Sequence, residues 1–466
     1  MKKIISYLLL LFPFYNLQAQ DCNCGDNFSF MVQHIKKNYV GYADKINQKT
    51  QKRFEYLTDS LQKVAHNTGS NKCIAVCREW LSFFKDGHMN ISFNESSPKD
   101  EIRDFFSKEE KTIWDEEKLK NYLAMHKGLT DSIEGIWSNL SNTTKLGIVR
   151  DSLNHNEFIG FMVKYNTAMW ALQQVKFRAK KTKGIYTFTS FLARDHSPYP
   201  AKISLNKDTM DLKEIGKFYK NDLPKNTSYN LLNPKFKKLD DKTSLLTIPS
   251  FYLDYKNETD SLMIKNASTL ENTEHLIIDL RNNRGGAVGA FKKILPYLYT
   301  NPIFTENGQV LATDDNIKDG YEKTFPDLPE DLKEYFNKVI SKLKAHRGEL
   351  YLVYPADTIK YDKIYKKPSR VSVLMNEGSA SASELFILQA KQSTKVKLFG
   401  ANSSGSVNYV ESVTTQMPCN FFNLIYPAAR LMRANNDGTD PGIKPDVAIP
   451  ANVTDWIDFV KKYKTK

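Results

Sequence analysis

Two stretches decide the fold. His275-Leu-Ile-Ile-Asp-Leu280 runs into Arg281-Asn-Asn-Arg-Gly-Gly286, and Val371-Ser-Val-Leu-Met-Asn376 runs into Glu377-Gly-Ser-Ala-Ser-Ala-Ser383. Each is a short, continuously apolar run, then a small-residue loop, then a segment with helical spacing. A strand apolar on both faces belongs in a sheet covered on both sides, and strands that alternate with helices imply parallel pairing. Ser244-Leu-Leu-Thr-Ile248 and Val396-Lys-Leu-Phe399 have the same character. The expected fold is therefore α/β, with a partly parallel sheet and crossover helices over residues 236–466. In such sheets the functional loops gather beyond the C-terminal strand ends, where both small-residue loops fall.

Outward from this core the texture changes twice. Residues 132–235 consist of short β-rich runs separated by polar turns, which predicts an antiparallel sheet or small barrel. Residues 96–131 read as a charged linker. Over 20–95, Phe28, Met31 and Ile35, then Ile74, Cys77, Trp80 and Phe84, recur at helical spacing and predict a small helical domain. Its last helix is expected to stop at Lys85-Asp-Gly-His88, with Gly87 as the left-handed residue, before a strand at Asn90-Ile-Ser-Phe93.

Lys2 and Lys3 precede the apolar run from Ile4 to Phe14, which passes into Asn16-Leu-Gln-Ala-Gln20. This is the pattern of a signal peptide cleaved after Ala19, and the run is shorter than the roughly 18 residues a membrane span needs. The expectation is export to a periplasmic or secreted location, with no transmembrane segment in the mature chain. Export allows disulfides. Cys22 and Cys24 are expected to pair with Cys73 and Cys77, which share one helix face, leaving Cys419 as a buried free thiol; a four-cysteine zinc site is the alternative. No metal and no cofactor is expected.

The chain carries 66 Lys and Arg against 53 Asp and Glu, net +13 over 466 residues, with 41% hydrophobic and 12% aromatic residues. That excludes wholesale disorder. The basic surplus is spread along the chain, so it reads as a solvated surface and no nucleic-acid partner is expected; docking of an anionic polymer is a remaining rival.

Glycines between strand and helix let backbone N–H groups face an anion or oxyanion. The spacing of Gly285, Gly286 and Gly289 is not that of a dinucleotide fingerprint. In the second loop, Ser381-x-x-Glu384 is a capping box, while a serine at a helix start is also placed to act as a nucleophile. The residues alone leave both open.

Asp279-Leu-Arg-Asn-Asn-Arg-Gly-Gly286 together with Asn376-Glu-Gly-Ser-Ala-Ser-Ala-Ser-Glu384 resembles the carboxy-terminal processing (tail-specific) serine peptidases, a family that includes the tricorn core protease and retinoid-binding repeats. The likeness covers about 236–450. It implies Ser381 as nucleophile, an oxyanion hole from Gly285 or Gly286 with Ala382, and a closing turn at Pro441-Gly-Ile-Lys-Pro-Asp446. The family's lysine base would fall at Ser406 and is absent. Lys85-Asp-Gly-His88 instead matches the tricorn-like branch, which implies His88 as the base, with Lys391 as the opposing candidate. The acid is expected at Asp440, beside Thr439, with Asp437 as fallback. No PDZ-type carboxylate-binding loop is seen. The resemblance implies an exported serine peptidase acting on proteins or peptides; the alternative is a member that has lost hydrolysis and binds a ligand or peptide.

Overall fold

The computed structural model describes residues 22–139, 142–192, 195–206, 208–212, 216–220, 233–328, 330–432 and 442–463. The expected leader over 1–19 and Asp437, Thr439 and Asp440 lie outside the described residues.

A six-stranded sheet forms the α/β core, in the order Lys235–Lys238, Thr243–Thr247, His275–Asp279, Arg370–Met375, Val396–Gly400 and Val447–Ala448. Its first pair is antiparallel and the rest are parallel. Leu276, Ile278, Val371 and Val373 pack under helices Lys256–Lys265 and Ala382–Ala390. Ile277, Leu374 and Phe399 pack on the other face against the C-terminal helix Trp456–Lys462. Burial on both faces is the physical reason these strands read as continuous apolar runs. The segment after Gly286 is not the continuous helix that its spacing suggests. It is a 3-10 turn, Val288–Phe291, followed by a four-residue helix, Leu295–Leu298.

The β-rich segment closes into an eight-stranded antiparallel barrel running from strand Gly135–Asn139 to strand Gly216–Lys220. Its interior is filled by Trp137, Phe158, Phe177 and Met210, all essentially inaccessible. Asp195 and Ser197 of the barrel hold Arg78, on helix Cys73–Leu81 of the N-terminal segment. The charged segment before the barrel folds as two short helices, Lys99–Phe105 and Glu116–Met125.

The N-terminal helices pack on Phe28, Phe54, Trp80 and Phe84, whose rings meet edge-on or tilted. They end in a strand, Asn90–Phe93, that pairs antiparallel with Phe422–Leu431. A five-stranded sheet thus joins the N-terminal segment to strands from the C-terminal half. This is what carries the 85–88 turn to the core. The left-handed residue of that turn is Lys85 (φ 49°), not Gly87.

The cysteine pairing differs from expectation. Cys24 joins Cys73 as one of the expected cross-links, but Cys22 joins Cys419, and Cys77 is the free, buried thiol. Cys77 lies one helical turn from Cys73, its Sγ 3.9 Å from that of Cys73, and only one of the two can bond Cys24. Cys22 precedes the helix Cys24–Asn38 and meets the hairpin turn at Cys419, whose N–H donates to Asn27 Oδ1. A contact across 397 residues leaves no local signature in the sequence. Burial pushes the Cys77 thiol up to about 12, so Cys77 is expected to resist alkylation in the native protein. Loss of the Cys24–Cys73 bridge is expected to cost about 2–5 kcal/mol. Thermal unfolding of the Cys24→Ser variant and non-reducing peptide mapping check both points.

Candidate active site

The two small-residue loops sit side by side at the C-terminal edge of the parallel sheet and are laced together. Ala380 N–H donates to Asn283 O (3.0 Å), Asn282 N–H to Asn376 Oδ1 (2.8 Å), and Asn376 Nδ2 to Asn282 Oδ1 (3.0 Å). The buried Asn283 ties this assembly to the neighbouring strand by donating to Ile248 O (2.9 Å).

The three alternating serines have different fates. Ser379 is fully buried, donates to Leu280 O (2.8 Å) and accepts from Asn376 N–H (3.1 Å), so it staples the two loops. Ser383 lies inside helix Ala382–Ala390, its Oγ buried and without a hydrogen-bond partner among the described residues. Ser381 is the half-buried one, at the corner between strand and helix. Its backbone has φ 55° and ψ −121°, a conformation that costs a non-glycine residue of order 1–3 kcal/mol and occurs mainly where function demands it.

Gly285 and Gly286 meet this corner in different ways. A Cβ on Gly285 would lie 2.7 Å from Ala380 O and Ala382 N and 2.9 Å from Ser381 Cβ, so the missing side chain allows the loops to touch. Its own N–H is taken by Asn283 Oδ1 (2.9 Å), which removes Gly285 as an oxyanion donor. Gly286 bridges Phe251 in parallel fashion, with Phe251 N–H bonding Gly285 O and Ala287 N–H bonding Phe251 O. The alternation of a strand then turns the Gly286 N–H to the opposite side. Ala382 N–H is the first of the helix, where no intrahelical acceptor exists. Gly286 has φ 137°, and a Cβ there would stand 2.3 Å from Phe251 backbone atoms. Gly286→Ala is therefore expected to displace the loop, with activity falling about 10²–10³-fold, as for loss of one oxyanion donor; steady-state kinetics on folded protein check this.

Glu384 was read only as a capping residue. It is completely buried and gathers the site: its carboxylate accepts from Ser381 N–H (3.1 Å), Ser403 Oγ (2.5 Å), Gly405 N–H (2.9 Å) and Ser406 N–H (2.8 Å). Ser404 N–H also bonds Ser379 O (2.9 Å). The closing turn docks on the same loop, with Ile443 N–H on Ser403 Oγ (2.6 Å) and a Cβ on Gly442 only 2.3 Å from Ser403 O. Asp446 of that turn accepts from Leu398 N–H (2.8 Å).

Ser406, where a lysine was sought, touches the 85–88 turn: a Cβ on Gly87 would be 2.6 Å from Ser406 Oγ. The turn carrying His88 thus rests on the loop that Glu384 ties to Ser381. His88 donates its backbone N–H to Asp86 Oδ1 (2.9 Å), and its Nδ1 lies 3.7 Å from the same oxygen. Asp86 is buried and accepts from Tyr39 Oη (2.8 Å). Burial, with Asp86 alongside, pushes the Tyr39 phenol far above its ordinary range, so it stays a neutral donor. Asp86 stands in the quoted Asp-Gly-His, where the sequence analysis gives it no role of its own. Lys391 is excluded as a base. It is exposed at the far end of the nine-residue helix, about 15 Å along its axis from Ser381.

Residues 242–449 match the model of peptidase family S41. Over those residues the chain is similar to that family. The "Probable CtpA-like serine protease" of Staphylococcus epidermidis is 29% identical over 161 residues, 34% of this chain and 24% of that protein. An uncharacterized protein of Chlamydia muridarum is 23% identical over 216 residues, 40% of this chain and 36% of that protein. The chain therefore spans about a quarter to a third of the length of these curated relatives. Among solved structures, mature CPAF is similar at 13% identity and a TM-score of 0.46, over 92% of this chain and 93% of that one. The S41 match begins at Lys242, so the N-terminal helices with His88 and the whole barrel lie outside it.

Proposed function

We propose that the chain is an exported serine-type peptidase in which Ser381 is the nucleophile and His88 the general base. The observation that carries this is the strained, half-open Ser381 corner pressed against Gly285, set in a segment that matches family S41. His88 Nδ1 is buried 3.7 Å from Asp86 Oδ1, beyond hydrogen-bond range, and Nε2 is the ring nitrogen left to take the proton from Ser381 Oγ as it attacks a peptide carbonyl. Asp86 favours the charged form of the imidazole through its negative charge, and Tyr39 holds Asp86. The developing oxyanion sits on the N–H groups of Gly286 and Ala382. His88 then returns the proton to the leaving amine, and water releases the acyl group by the reverse sequence. These steps require no metal or cofactor. Export rests on Lys2, Lys3 and the apolar run after them, and two disulfides suit an oxidising compartment. Among the described residues no helix is long and apolar enough to cross a membrane.

The substrates in this reading are proteins or peptides. Incubating residues 20–466 with an unstructured polypeptide and following new termini by mass spectrometry tests it. Cleavage that a serine-acylating reagent stops is expected. Tight peptide or ligand binding without cleavage would instead favour a family member that has lost hydrolysis.

A further inference from the structure

A cavity of about 890 Å³ opens at Val288 and Gly289, three residues beyond the Gly286 loop, and runs between helix Lys256–Lys265 and the segment 357–365. This is the size of a site for a small ligand or a short peptide stretch. Its walls are apolar and aromatic, with Phe291, Leu295 and the stacked pair Tyr297 and Tyr365. Asp260 and Gln389 stand in its wall, and each carries a buried oxygen, Asp260 Oδ1 and Gln389 Oε1, with no hydrogen-bond partner among the described residues. Gln389 as a whole is 9% exposed. Native proteins leave few buried polar atoms unpaired, so two in one cavity call for donors brought by a ligand.

The charges restrict that ligand. Asp260 Oδ2 already holds Lys256 Nζ at 2.8 Å, and the exposed Lys292 and Lys293 stand at the rim with Asp357 as the other acid. A cationic ligand gains nothing here, whereas neutral N–H groups do. Position also matters. Gln389 lies eight residues along the helix from Ser381, about 12 Å, which an extended peptide spans in three to four residues.

We propose that this cavity is a remote substrate subsite for an uncharged stretch of polypeptide, three or more residues from the scissile bond, whose backbone or carboxamide N–H groups satisfy Gln389 and Asp260. The inference rests on the peptidase reading of the Ser381 site. Gly289 offers a clean test, because a Cβ there meets no atom within 4 Å. Gly289→Phe fills the mouth of the cavity, and Gln389→Leu removes one acceptor.

Residues 20–466 and both variants are assayed on a fluorogenic tetrapeptide and on quenched dodecapeptides that carry either neutral or lysine residues distal to the cleavage site. Gly289→Phe is expected to raise KM for the neutral dodecapeptide about tenfold and Gln389→Leu about fivefold, with kcat and tetrapeptide turnover within twofold of the parent. Distal lysines are expected to weaken binding to the parent chain. Unchanged KM in both variants, or an equal rise for the tetrapeptide, overturns the subsite. If the parent chain cleaves nothing, the peptidase reading fails separately, and fluorescence anisotropy of the labelled neutral dodecapeptide decides the cavity alone. Affinity lost in Gly289→Phe supports a peptide site there, and no binding or equal affinity overturns it.

Discussion

Ser381→Ala abolishes peptide hydrolysis while Ser379→Ala and Ser383→Ala keep it. The expected loss is on the order of 10⁶ in kcat, the magnitude seen when a triad nucleophile is removed. The three serines are alike in sequence but not in surroundings. Ser379 bonds Leu280 O and Asn376 N–H, so its loss leaves Asn376 N–H unpaired, while Leu280 O keeps the Asn283 N–H, and costs about 1–3 kcal/mol of stability without touching the chemistry. Ser383 Oγ has no partner to lose among the described residues, and Ser383→Ala should be close to neutral. Ser381 alone combines exposure with a backbone held at φ 55° beside the glycine loop. Thermal denaturation and hydrolysis measured on all three variants separate a stability defect from a chemical one. Equal inactivity of well-folded Ser379→Ala or Ser383→Ala would reassign the nucleophile.

His88→Ala is expected to lose about 10²–10⁴-fold in kcat, the usual contribution of a general base, with the fold retained. His88 is near the surface end of a turn, and its replacement leaves the Asp86 carboxylate with the backbone N–H of residue 88 and the Tyr39 hydroxyl still bonded. Asp86→Asn is expected to fall in the same direction, because it removes the negative charge 3.7 Å from Nδ1. Lys391→Ala should be normal. Single-turnover kinetics on the three variants check the set, and near-parental rates in His88→Ala would remove the histidine mechanism while leaving the nucleophile in place.

What the sequence displayed follows from where the physics is local. The four central parallel strands and the helix after Ser381 were legible because burial on both faces of a sheet forces continuous apolar runs, and a capping serine marks a helix start. The β-rich runs pointed to an antiparallel sheet or small barrel, and the choice between them depends on strand Gly135–Asn139 meeting strand Gly216–Lys220, which is a long-range pairing. The Cys22–Cys419 bridge and the pairing of Asn90–Phe93 with Phe422–Leu431 were hidden for the same reason.

At the site, Ser381, Gly286 and His88 stood out through their neighbours in the chain. Glu384 did not, because its partners Ser403, Gly405 and Ser406 come from a different loop. Nor did Tyr39, whose link to Asp86 crosses from one helix end to a distant turn. The resemblance left the oxyanion role open between Gly285 and Gly286, and the Asn283 side chain, folded back onto the Gly285 N–H, favours Gly286.

The most direct measurement is covalent labelling. Residues 20–466 are incubated with a fluorophosphonate, digested and mapped by tandem mass spectrometry, alongside His88→Ala and heat-unfolded protein as controls. The account predicts one adduct, on Ser381, formed by the folded parent chain, strongly slowed in His88→Ala and absent after unfolding. An adduct on another serine, or none on folded protein that binds peptides, would contradict it.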